Sequence, residues 1–470
     1  MKKNRMAVWV GLTLVAMGAA QAASAGGRPD LVIKGLKEGK PHASGELLVK
    51  YRDGAVSADR DAVVHGLGAQ KLDTVRRGNG RSGEIALLKL PGNVDLSAAV
   101  QALSADPAVE YAEPNWTYQH NAVSTATYPT NGSLWGMYGD AGTPANVYGS
   151  QASGAWAAGH TSCGNVVVGV IDEGIYYAHE DLAANIWTNP YDPVDGVDND
   201  GNGYVDDVRG WDFDGNTNNI NSGGANDDHG THVSGTIAGV GGNGKGVAGV
   251  CWSGVKLISG KFLGRRGGNT ANAVKALDYF TDLKTRHGLN LVATNNSWGS
   301  GGYSQALSDA IDRAGQAEIL TIVAAGNDSV NCEGNTSGAC YPASYPNASI
   351  ISVAALRSTG ALVYNYGATT VDLGAPGYGI WSTVPTSSKG KLVSGYASYS
   401  GTSMATPHVT GAAALYASTR PGVTAAQIKA AILGATVPTP SLLGKTVTGG
   451  PLDVSGFWRE ACAERRRPAS

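Results

Sequence analysis

The chain has 470 residues, of which 42% are hydrophobic and 16% are charged, and its formal net charge is −3. This composition argues against a disordered protein and predicts two to four compact domains with an ample core. The nearly balanced charge gives no electrostatic basis for binding nucleic acid or an anionic membrane surface.

The N-terminal residues 1–25 have the pattern of a secretory signal peptide. The basic stretch MKKNR is followed by a mostly apolar run to Ala20 and then by small residues, as in a signal with its cleavage site. The apolar run is too short for a convincing membrane span, and the sequence offers no other candidate. We therefore expect a secreted, extracellular protein once the signal is removed.

Export makes disulfide bonds possible for the five cysteines of the chain. Because five is an odd number, at least one cysteine is free or pairs outside the chain. Cys332 and Cys340 close a small loop, while Cys163 and Cys251 each precede an apolar, strand-like run. We predict these two pairs, with Cys462 left over.

Residues 26–122 alternate short strands with short helices. The runs are, in order, GELLVKY, DRDAVVHGLG, QKLDTV, EIALLKL, DLSAAVQALS and AVEYAEPN. Their periodicities predict a small α+β domain of order β-α-β-β-α-β. The polar stretch QHNAVSTATYPTNG that follows predicts an exposed linker, where a protease cuts easily.

The region from Leu134 to about Trp458 has a different pattern. Continuous apolar strand runs, NVVVGVID, VKLISGKF, LVATNNSW and ILTIVAAGN, are separated by helical segments such as TANAVKALDYFTDLKTRHG and YSQALSDAIDRAGQ. This alternation predicts an α/β domain of three layers, with helices on both faces of a mainly parallel sheet. In such a sheet, ligands bind at the carboxyl ends of the strands.

Asp172 ends the strand VVVGVID, and His229 opens the small-residue helix HGTHVSGTIAG. A carboxylate at that strand end could orient an imidazole. His229 and His232 share one helix face, so a metal pair is an alternative, although the motif offers no obvious third ligand.

Ser403 lies in GTSMATPHVTG, just ahead of Pro407. Since proline is tolerated in a helix only in its first turn, we expect a helix to begin near Ser403. On this stretch alone, the hydroxyl is either a helix cap or a nucleophile beside backbone N–H groups that stabilise an oxyanion.

Five blocks in order, VIDEG, HGTHVSGT, NNSWG, AAGN and SGTSMATPHVTGAAAL, resemble the signatures of the subtilisin-like serine peptidases, or subtilases. The Asp, His, Ser chain order is that of subtilisin. Acid peptidases of the sedolisin type have Glu where this chain has His229. An esterase of the α/β-hydrolase kind has G-x-S-x-G before its acid and base.

The resemblance implies a role for each residue of the triad. Ser403 is the expected nucleophile, His229 its general base and later acid, and Asp172 the carboxylate that orients the imidazole. Asn327, at the end of IVAAGN, and the backbone N–H of Ser403 are the expected oxyanion donors. His232 is expected to be a core histidine.

The resemblance also implies a substrate cleft between two short segments. One edge is expected to pair with an extended peptide, and the other to line the first specificity pocket with small residues. These residues are Ser297, Trp298 and Gly299 on the first edge, and Ala324, Ala325 and Gly326 on the second.

The acidic loop DNDGNGYVDD, residues 198–207, predicts a structural Ca²⁺ site, because oxygen ligands at alternate positions wrap a hard cation. Position twelve is Arg209 instead of Glu, so the loop is not a complete EF-hand. A solvated acidic turn is the alternative. The candidate ligands are Asp198, Asp200, Asn202, Tyr204, Asp206 and Asp207, with Asp212 as another closing residue.

A second calcium site follows from the resemblance alone, at Asp181 in HEDL and Asn243 in GGNGKGV. No organic cofactor is expected.

The resemblance further identifies residues 26–122 as an inhibitor-like propeptide of ferredoxin-like fold, particularly at VEYAEPN. It is expected to act as chaperone and inhibitor until the chain is cut near residues 120 to 128. Residues 123–458 then form the peptidase domain, and residues 459–470 a short basic tail.

The sequence as a whole predicts a secreted, calcium-stabilised serine endopeptidase made as an autoprocessed zymogen. Its expected partners are protein or peptide substrates and its own propeptide, with no nucleic acid or membrane, and we expect a monomer. The alternative is a catalytically silent subtilase fold that serves in binding.

Overall fold

The computed structural model describes residues 27–78, 83–92, 94–120, 123–125, 133–141, 144–299, 301–333 and 339–458. The predicted signal peptide, the basic tail and Cys462 lie outside these residues, as does most of the stretch in which we predict the cut. Among the described residues, no helix is both long and apolar enough to cross a membrane.

Residues 29–120 form an α+β unit that confirms the predicted β-α-β-β-α-β order and adds one helix in front of it. Its elements are α1 Pro29–Lys37, β1 His42–Tyr51, α2 Ser57–Gly66, β2 Gln70–Arg76, β3 Ile85–Lys89, α3 Leu96–Ser104 and β4 Val109–His120. The sheet is antiparallel, with strand order β4-β1-β3-β2.

The second unit contains the remaining strands and helices of the described chain. The strands are β5 Val123–Thr125, β6 Val167–Asp172, β7 Gly210–Asp212, β8 Lys256–Lys261, β9 Gly268–Asn269, β10 Leu291–Asn296, β11 Trp298–Gly299, β12 Leu320–Ala324, β13 Ile350–Leu356, β14 Leu362–Val363, β15 Leu373–Pro376, β16 Ile380–Ser388 and β17 Lys391–Ser400. The helices are α4 Ala152–Ala157, α5 Asp228–Ala238, α6 Thr270–His287, α7 Gln305–Gln316, α8 Thr402–Ser418 and α9 Ala425–Gly434.

The main sheet has the strand order β14-β13-β12-β10-β6-β8-β7, and β15 pairs with β13. All of its pairs are parallel except that of β14 with β13. Helices α6 and α7 share one apolar core with the N-terminal unit, while α5, α8 and α9 share another. The predicted three-layer α/β/α architecture is confirmed.

Helix α8 begins at Thr402, as the sequence predicts, but Pro407 lies beyond its first turn. Proline has no N–H to donate to the carbonyl four residues earlier, which here belongs to Ser403. The hydroxyl of Ser297 donates to that carbonyl at 2.9 Å instead. The expectation that Pro407 marks the first turn was wrong, because another element supplies the missing donor.

The N-terminal unit is joined to the second unit by strand pairing. The end of β4 pairs with β9 at residues 117–118 and with β11 at residues 119–120. After His120, β5 pairs antiparallel with the end of β17. The chain therefore pairs with β9 and β11 before the two undescribed residues 121–122, and with β17 after them.

Two disulfide bonds confirm the predicted pairs. Cys163 is bonded to Cys251, which ties the start of β6 to the segment before β8. Cys332 is bonded to Cys340 and closes a small loop after β12.

Candidate active site

Asp172 and His229 meet at the carboxyl end of the parallel sheet. Asp172 is the last residue of β6 and His229 the second residue of α5, and both are almost completely buried. Their side chains are joined by a hydrogen bond of 2.8 Å between Asp172 Oδ1 and His229 Nδ1. A carboxylate on Nδ1 fixes the tautomer of the ring, so Nε2 is the nitrogen suited to act as a base.

Ser403 lies in the first turn of α8, which packs against α5. Its side chain is buried, and Oγ donates to the carbonyl of Ser297 at 2.9 Å. Ser297 Oγ in turn accepts from Asn295 Nδ2 at 3.0 Å, and Asn295 Oδ1 accepts from Thr410 Oγ1 at 2.9 Å. A buried polar network therefore fixes the helix turn that carries Ser403.

Asn327 follows β12 and faces the same turn of α8. Its Oδ1 accepts the Thr402 N–H and the Thr402 hydroxyl, both at 2.9 Å. Thr402 Oγ1 also accepts the Gly326 N–H at 3.0 Å. Because two donors hold Oδ1, the amide is oriented, and its Nδ2 is the atom suited to donate to an oxyanion.

A layer of charged residues that the sequence analysis missed surrounds His229. Glu173 Oε2 accepts the His229 N–H at 3.2 Å, and Tyr399 donates its hydroxyl to Asp228. Lys261 binds Asp227 at 2.9 Å. Burial raises the pKa of Asp227, whereas Lys261 lowers it. The available signal was the second lysine of VKLISGKF, which comes at the carboxyl end of a predicted buried strand.

His232 is a core residue, as the resemblance implied. It is buried, its Nε2 donates to the Ile380 carbonyl at 3.0 Å, and its ring stacks on Tyr399 at 4.5 Å. Burial lowers the pKa of His232 to about 3, which keeps the ring neutral. These contacts give the side chain a structural role and leave no support for a metal pair with His229.

The predicted cleft edges lie on either side of the Ser403 turn. On the first edge, Trp298 and Gly299 form β11 and pair with the end of β4, while the Ser297 side chain supports α8. On the second edge, Ala324, Ala325 and Gly326 are buried at the end of β12, next to Thr402.

Strand β9 also pairs with β4 and was not predicted from the sequence. Its signal was the glycine pair in GRRGGN, because a side chain at Gly267 would overlap the Tyr118 carbonyl. Tyr118 is completely buried between these elements. Its ring lies 5.1 Å from that of Trp298, and its hydroxyl is 3.2 Å from Thr270 Oγ1. The N-terminal unit thus places a buried aromatic side chain against the predicted cleft edge at Trp298.

The acidic loop is organised around Asn202. The Asn202 N–H donates to Asp198 Oδ1 at 3.1 Å and to Asp200 Oδ1 at 3.0 Å, and Asn202 Nδ2 donates to Asp207 Oδ2 at 2.9 Å. Tyr204 donates its N–H to Asn202 Oδ1 at 2.7 Å. The carboxylates of Asp198, Asp200 and Asp207 therefore converge on Asn202, and carboxylate oxygens are ligands that Ca²⁺ prefers.

Asp206 turns away from this group. Its Oδ1 accepts the N–H groups of Asp195 and Gly196 at 3.0 Å. Over the described part of the chain, no group of three or more His, Cys, Asp or Glu side chains is arranged to hold a metal ion. Calcium binding in this loop stays a prediction, with Asp206 the predicted ligand that the geometry favours least.

Asp181 and Asn243 are adjacent, as the resemblance implied. Asp181 is completely buried, and its Oδ1 accepts from Asn243 Nδ2 at 2.6 Å. Its Oδ2 accepts the Val247 N–H at 3.0 Å and the Tyr396 hydroxyl at 2.9 Å. The Asn243 amide nitrogen thus faces the carboxylate, and its Oδ1 accepts the Lys245 N–H at 2.9 Å. Calcium binding at this pair stays a prediction.

The fold and the site define a class of α/β protein. In this class, an Asp–His pair lies at the carboxyl edge of a parallel sheet, beside a serine in the first turn of a helix. Comparison with known families makes this class specific. The subtilase family profile matches residues 164–453, and the fervidolysin N-terminal prodomain profile matches residues 29–115. The chain belongs to the subtilase family.

Two relatives and one solved structure extend this result. An extracellular basic protease of Dichelobacter nodosus is 31% identical over 80% of this chain and 63% of its own length. An extracellular protease of Xanthomonas campestris pv. campestris is 35% identical over 58% of this chain and 49% of its own length. The chain thus spans about half to under two thirds of these relatives.

The solved structure is that of fervidolysin from Fervidobacterium pennivorans, described as a keratinolytic enzyme related to subtilisin. It matches with a TM-score of 0.65 at 24% identity, over 88% of this chain and 61% of fervidolysin. This likeness supports the shared fold, including the N-terminal unit.

Proposed function

We propose that the protein is a secreted serine endopeptidase that hydrolyses peptide bonds through Asp172, His229 and Ser403. The observation that carries this proposal is the buried 2.8 Å bond between Asp172 and His229, with α5 packed against the turn that holds Ser403. Membership of the subtilase family and relatives named as extracellular proteases support it.

In the proposed reaction, His229 Nε2 takes the proton of Ser403 as Oγ attacks the substrate carbonyl. The new imidazolium is stabilised by Asp172. Asn327 and the Ser403 N–H donate to the oxyanion of the tetrahedral intermediate. His229 then gives its proton to the leaving amine, and water hydrolyses the acyl-enzyme by the same steps.

The rival proposal is a silent fold that only binds peptides. A serine-directed fluorophosphonate separates the two, because it forms a bond only with an activated serine. We expect the matured protein to be labelled at Ser403, and peptide mapping identifies the modified residue. A matured protein that binds peptides but is not labelled would support the silent fold.

We also propose that residues 26–122 are an autoprocessed propeptide that inhibits the enzyme. Its last strand, β4, pairs with β9 and β11 as an extended peptide would, and from Val123 the chain pairs with β17. Ser400, at the end of β17, is three residues before Ser403. This arrangement favours a cut between His120 and Val123, inside the broader range predicted from the sequence.

Glu113 is expected to be a main anchor of this propeptide. Its carboxylate accepts the Gln305 N–H at 2.6 Å, the Ala306 N–H at 3.3 Å and the Ser304 hydroxyl. It therefore caps the positive end of α7 across the interface between the two units.

We expect Glu113→Ala to weaken propeptide binding by about 2 kcal/mol, or roughly 30-fold, because the buried groups at the start of α7 lose the acceptor of their hydrogen bonds. Burial raises the pKa of Glu113 to about 8, so the prediction rests on these lost hydrogen bonds and not on a full carboxylate charge. The measurement is the lag between cleavage of the precursor and the appearance of activity, which should shorten. Glu84→Ala is the matched control, since Glu84 pairs with Lys71 inside the N-terminal unit. Equal lags in the two variants would contradict the anchoring role.

Calcium, in our proposal, stabilises the fold and takes no part in the chemistry. The loop of Asp198, Asp200, Asn202 and Asp207 would hold one ion, and the pair of Asp181 and Asn243 a second. A ligand that binds only the folded state adds about 2.7 kcal/mol of stability at a hundred times its Kd.

We therefore expect excess EDTA to speed thermal inactivation while the initial rate on a small peptide stays nearly constant. Replacing Asp198 and Asp200 together by Asn should reproduce most of this effect, and Asp195→Asn controls for loss of charge in the same loop. Equal inactivation rates in millimolar Ca²⁺ and in EDTA would leave the solvated acidic turn as the better interpretation.

A further inference from the structure

Lys261 is a buried charge at the carboxyl end of β8. Its side chain is 4% exposed, and Nζ donates to three oxygens. These are Asp227 Oδ1 at 2.9 Å, the Leu263 carbonyl at 3.1 Å and the Glu173 carbonyl. An ammonium group removed from water needs such partners, because its desolvation alone is very costly.

Two of these acceptors belong to the elements that carry the Asp–His pair. Glu173 follows Asp172 directly in the turn after β6, and Asp227 is the residue before α5, two positions ahead of His229. Lys261 is also the register partner of Asp172 between β6 and β8. One side chain therefore joins the turn after β6 to the start of α5, in addition to the Asp172–His229 bond.

Lys261 is also the cation within a group of carboxylates near His229. Asp172 and Glu173 come from the turn after β6, and Asp227 and Asp228 from the start of α5. Tyr399 of β17 donates its hydroxyl to Asp228. His232 lies one helix turn after His229, and α8 contributes Ser403 and the buried His408. Of these described groups, only Lys261 carries a fixed positive charge.

We propose that Lys261, paired with Asp227, is a positioning residue that holds the start of α5 against the turn after β6, so that His229 stays aligned with Asp172 and Ser403. The proposal rests on the peptidase function proposed above. It assigns Lys261 no contact with substrate, so its loss should affect turnover and not substrate binding.

The test compares Lys261→Met with the double variant Lys261→Met/Asp227→Asn. The single variant leaves Asp227 buried without its cation, which can prevent folding, whereas the double variant removes both charges of the pair. Lys256→Met is the matched control. Lys256 begins the same strand and donates only to the Ala184 carbonyl at 2.7 Å, away from the site.

Each full-length precursor is matured with a trace of tagged wild-type enzyme, which is then removed. Active sites are counted with a fluorophosphonate, and kcat, KM and the pH dependence of kcat/KM are measured on a small chromogenic peptide.

We expect the double variant to keep KM and to lose kcat by about 10- to 100-fold, because small misplacements of a catalytic group have effects of this size. Its net charge near His229 is unchanged, so the acid limb of the pH profile should stay near that of the wild type. In Lys261→Met, loss of a cation favours the imidazolium, so the acid limb should move to higher pH. Lys256→Met should match the wild type in kcat, in KM and in the pH dependence of kcat/KM.

A double variant with wild-type kcat would overturn the proposal, because Lys261 would then only neutralise Asp227. A raised KM with kcat intact would also overturn it. If neither Lys261 variant folds, Asp227→Ala decides. It removes the acceptor at the start of α5 and leaves Lys261 its two carbonyl acceptors, so the proposal expects kcat to fall with KM unchanged, and a wild-type kcat overturns it.

The two levels of inference fail in different ways. If the peptidase function is wrong, the wild-type protein neither hydrolyses the peptide nor reacts with the fluorophosphonate. If only the role of Lys261 is wrong, the wild-type protein does both and the Lys261 variants turn over like the Lys256 control.

Discussion

Ser403→Ala should abolish peptide hydrolysis and leave an uncut precursor. Removing the nucleophile of a subtilisin lowers kcat by about a million-fold, and we expect a loss of this order here. The reason is that Oγ forms the acyl bond, and the neighbouring hydroxyl of Thr402 is held by Asn327 Oδ1 and the Gly326 N–H. The measurements are the rate on a chromogenic peptide and the mass of the secreted chain.

Ser418→Ala is the matched control for this variant. Ser418 ends the same helix and donates to the Leu415 carbonyl at 2.8 Å, at the opposite end from Ser403. We expect it to mature and to turn over normally. If Ser403→Ala matures at the normal rate when no other protease is present, maturation is not autocatalytic.

Asn327→Leu should lower kcat by about a hundred- to a thousand-fold, or roughly 3 to 4 kcal/mol, with KM nearly unchanged. This range was measured for the oxyanion asparagine of subtilisin itself. The structure explains why kcat should change and KM should not. Thr402 holds Asn327 Oδ1 and so directs the amide toward the turn of Ser403. The amide then donates mainly when charge develops on the substrate oxygen.

Asn290→Leu provides the comparison. Asn290 lies just before β10, at the amino end of the sheet, and donates to the Asn165 carbonyl at 2.8 Å. It should leave kcat and KM as they are. A large rise in KM with kcat intact in Asn327→Leu would instead make Asn327 a residue of ground-state binding.

Much of the fold was predictable because its signals are local. Apolar strands alternate with helices along the second unit, and the short strands and helices of the first unit are separated in the sequence by clear turns. The sheet pattern placed Asp172 at a strand end where ligands bind, and its pairing with His229 came from the resemblance to the subtilases. One disulfide was predicted from the small loop that Cys332 and Cys340 close, and the other from the apolar runs that follow Cys163 and Cys251.

The contacts that the sequence did not reveal depend on elements distant in the chain. Lys261 and Asp227 meet only because β8 lies beside β6, and Glu113 caps α7 only once the two units dock. The position of Pro407 was misjudged for a similar reason, since the donor that tolerates it comes from Ser297. Helix α1 was missed because it is short, with nine residues, and precedes the first clear strand.

The pairing of β4 with both β9 and β11 has a consequence for which proteins the enzyme attacks. Four consecutive residues, 117–120, pair through their backbone with β9 and β11. A substrate that replaces them must pair with these strands in the same way. A segment already bonded within a helix or a sheet has no such groups to offer, so it must first open locally. On the proposed function, cleavage of a folded protein is therefore governed by the free energy of local unfolding at the cut, and loosely folded proteins are degraded before stable ones of similar sequence.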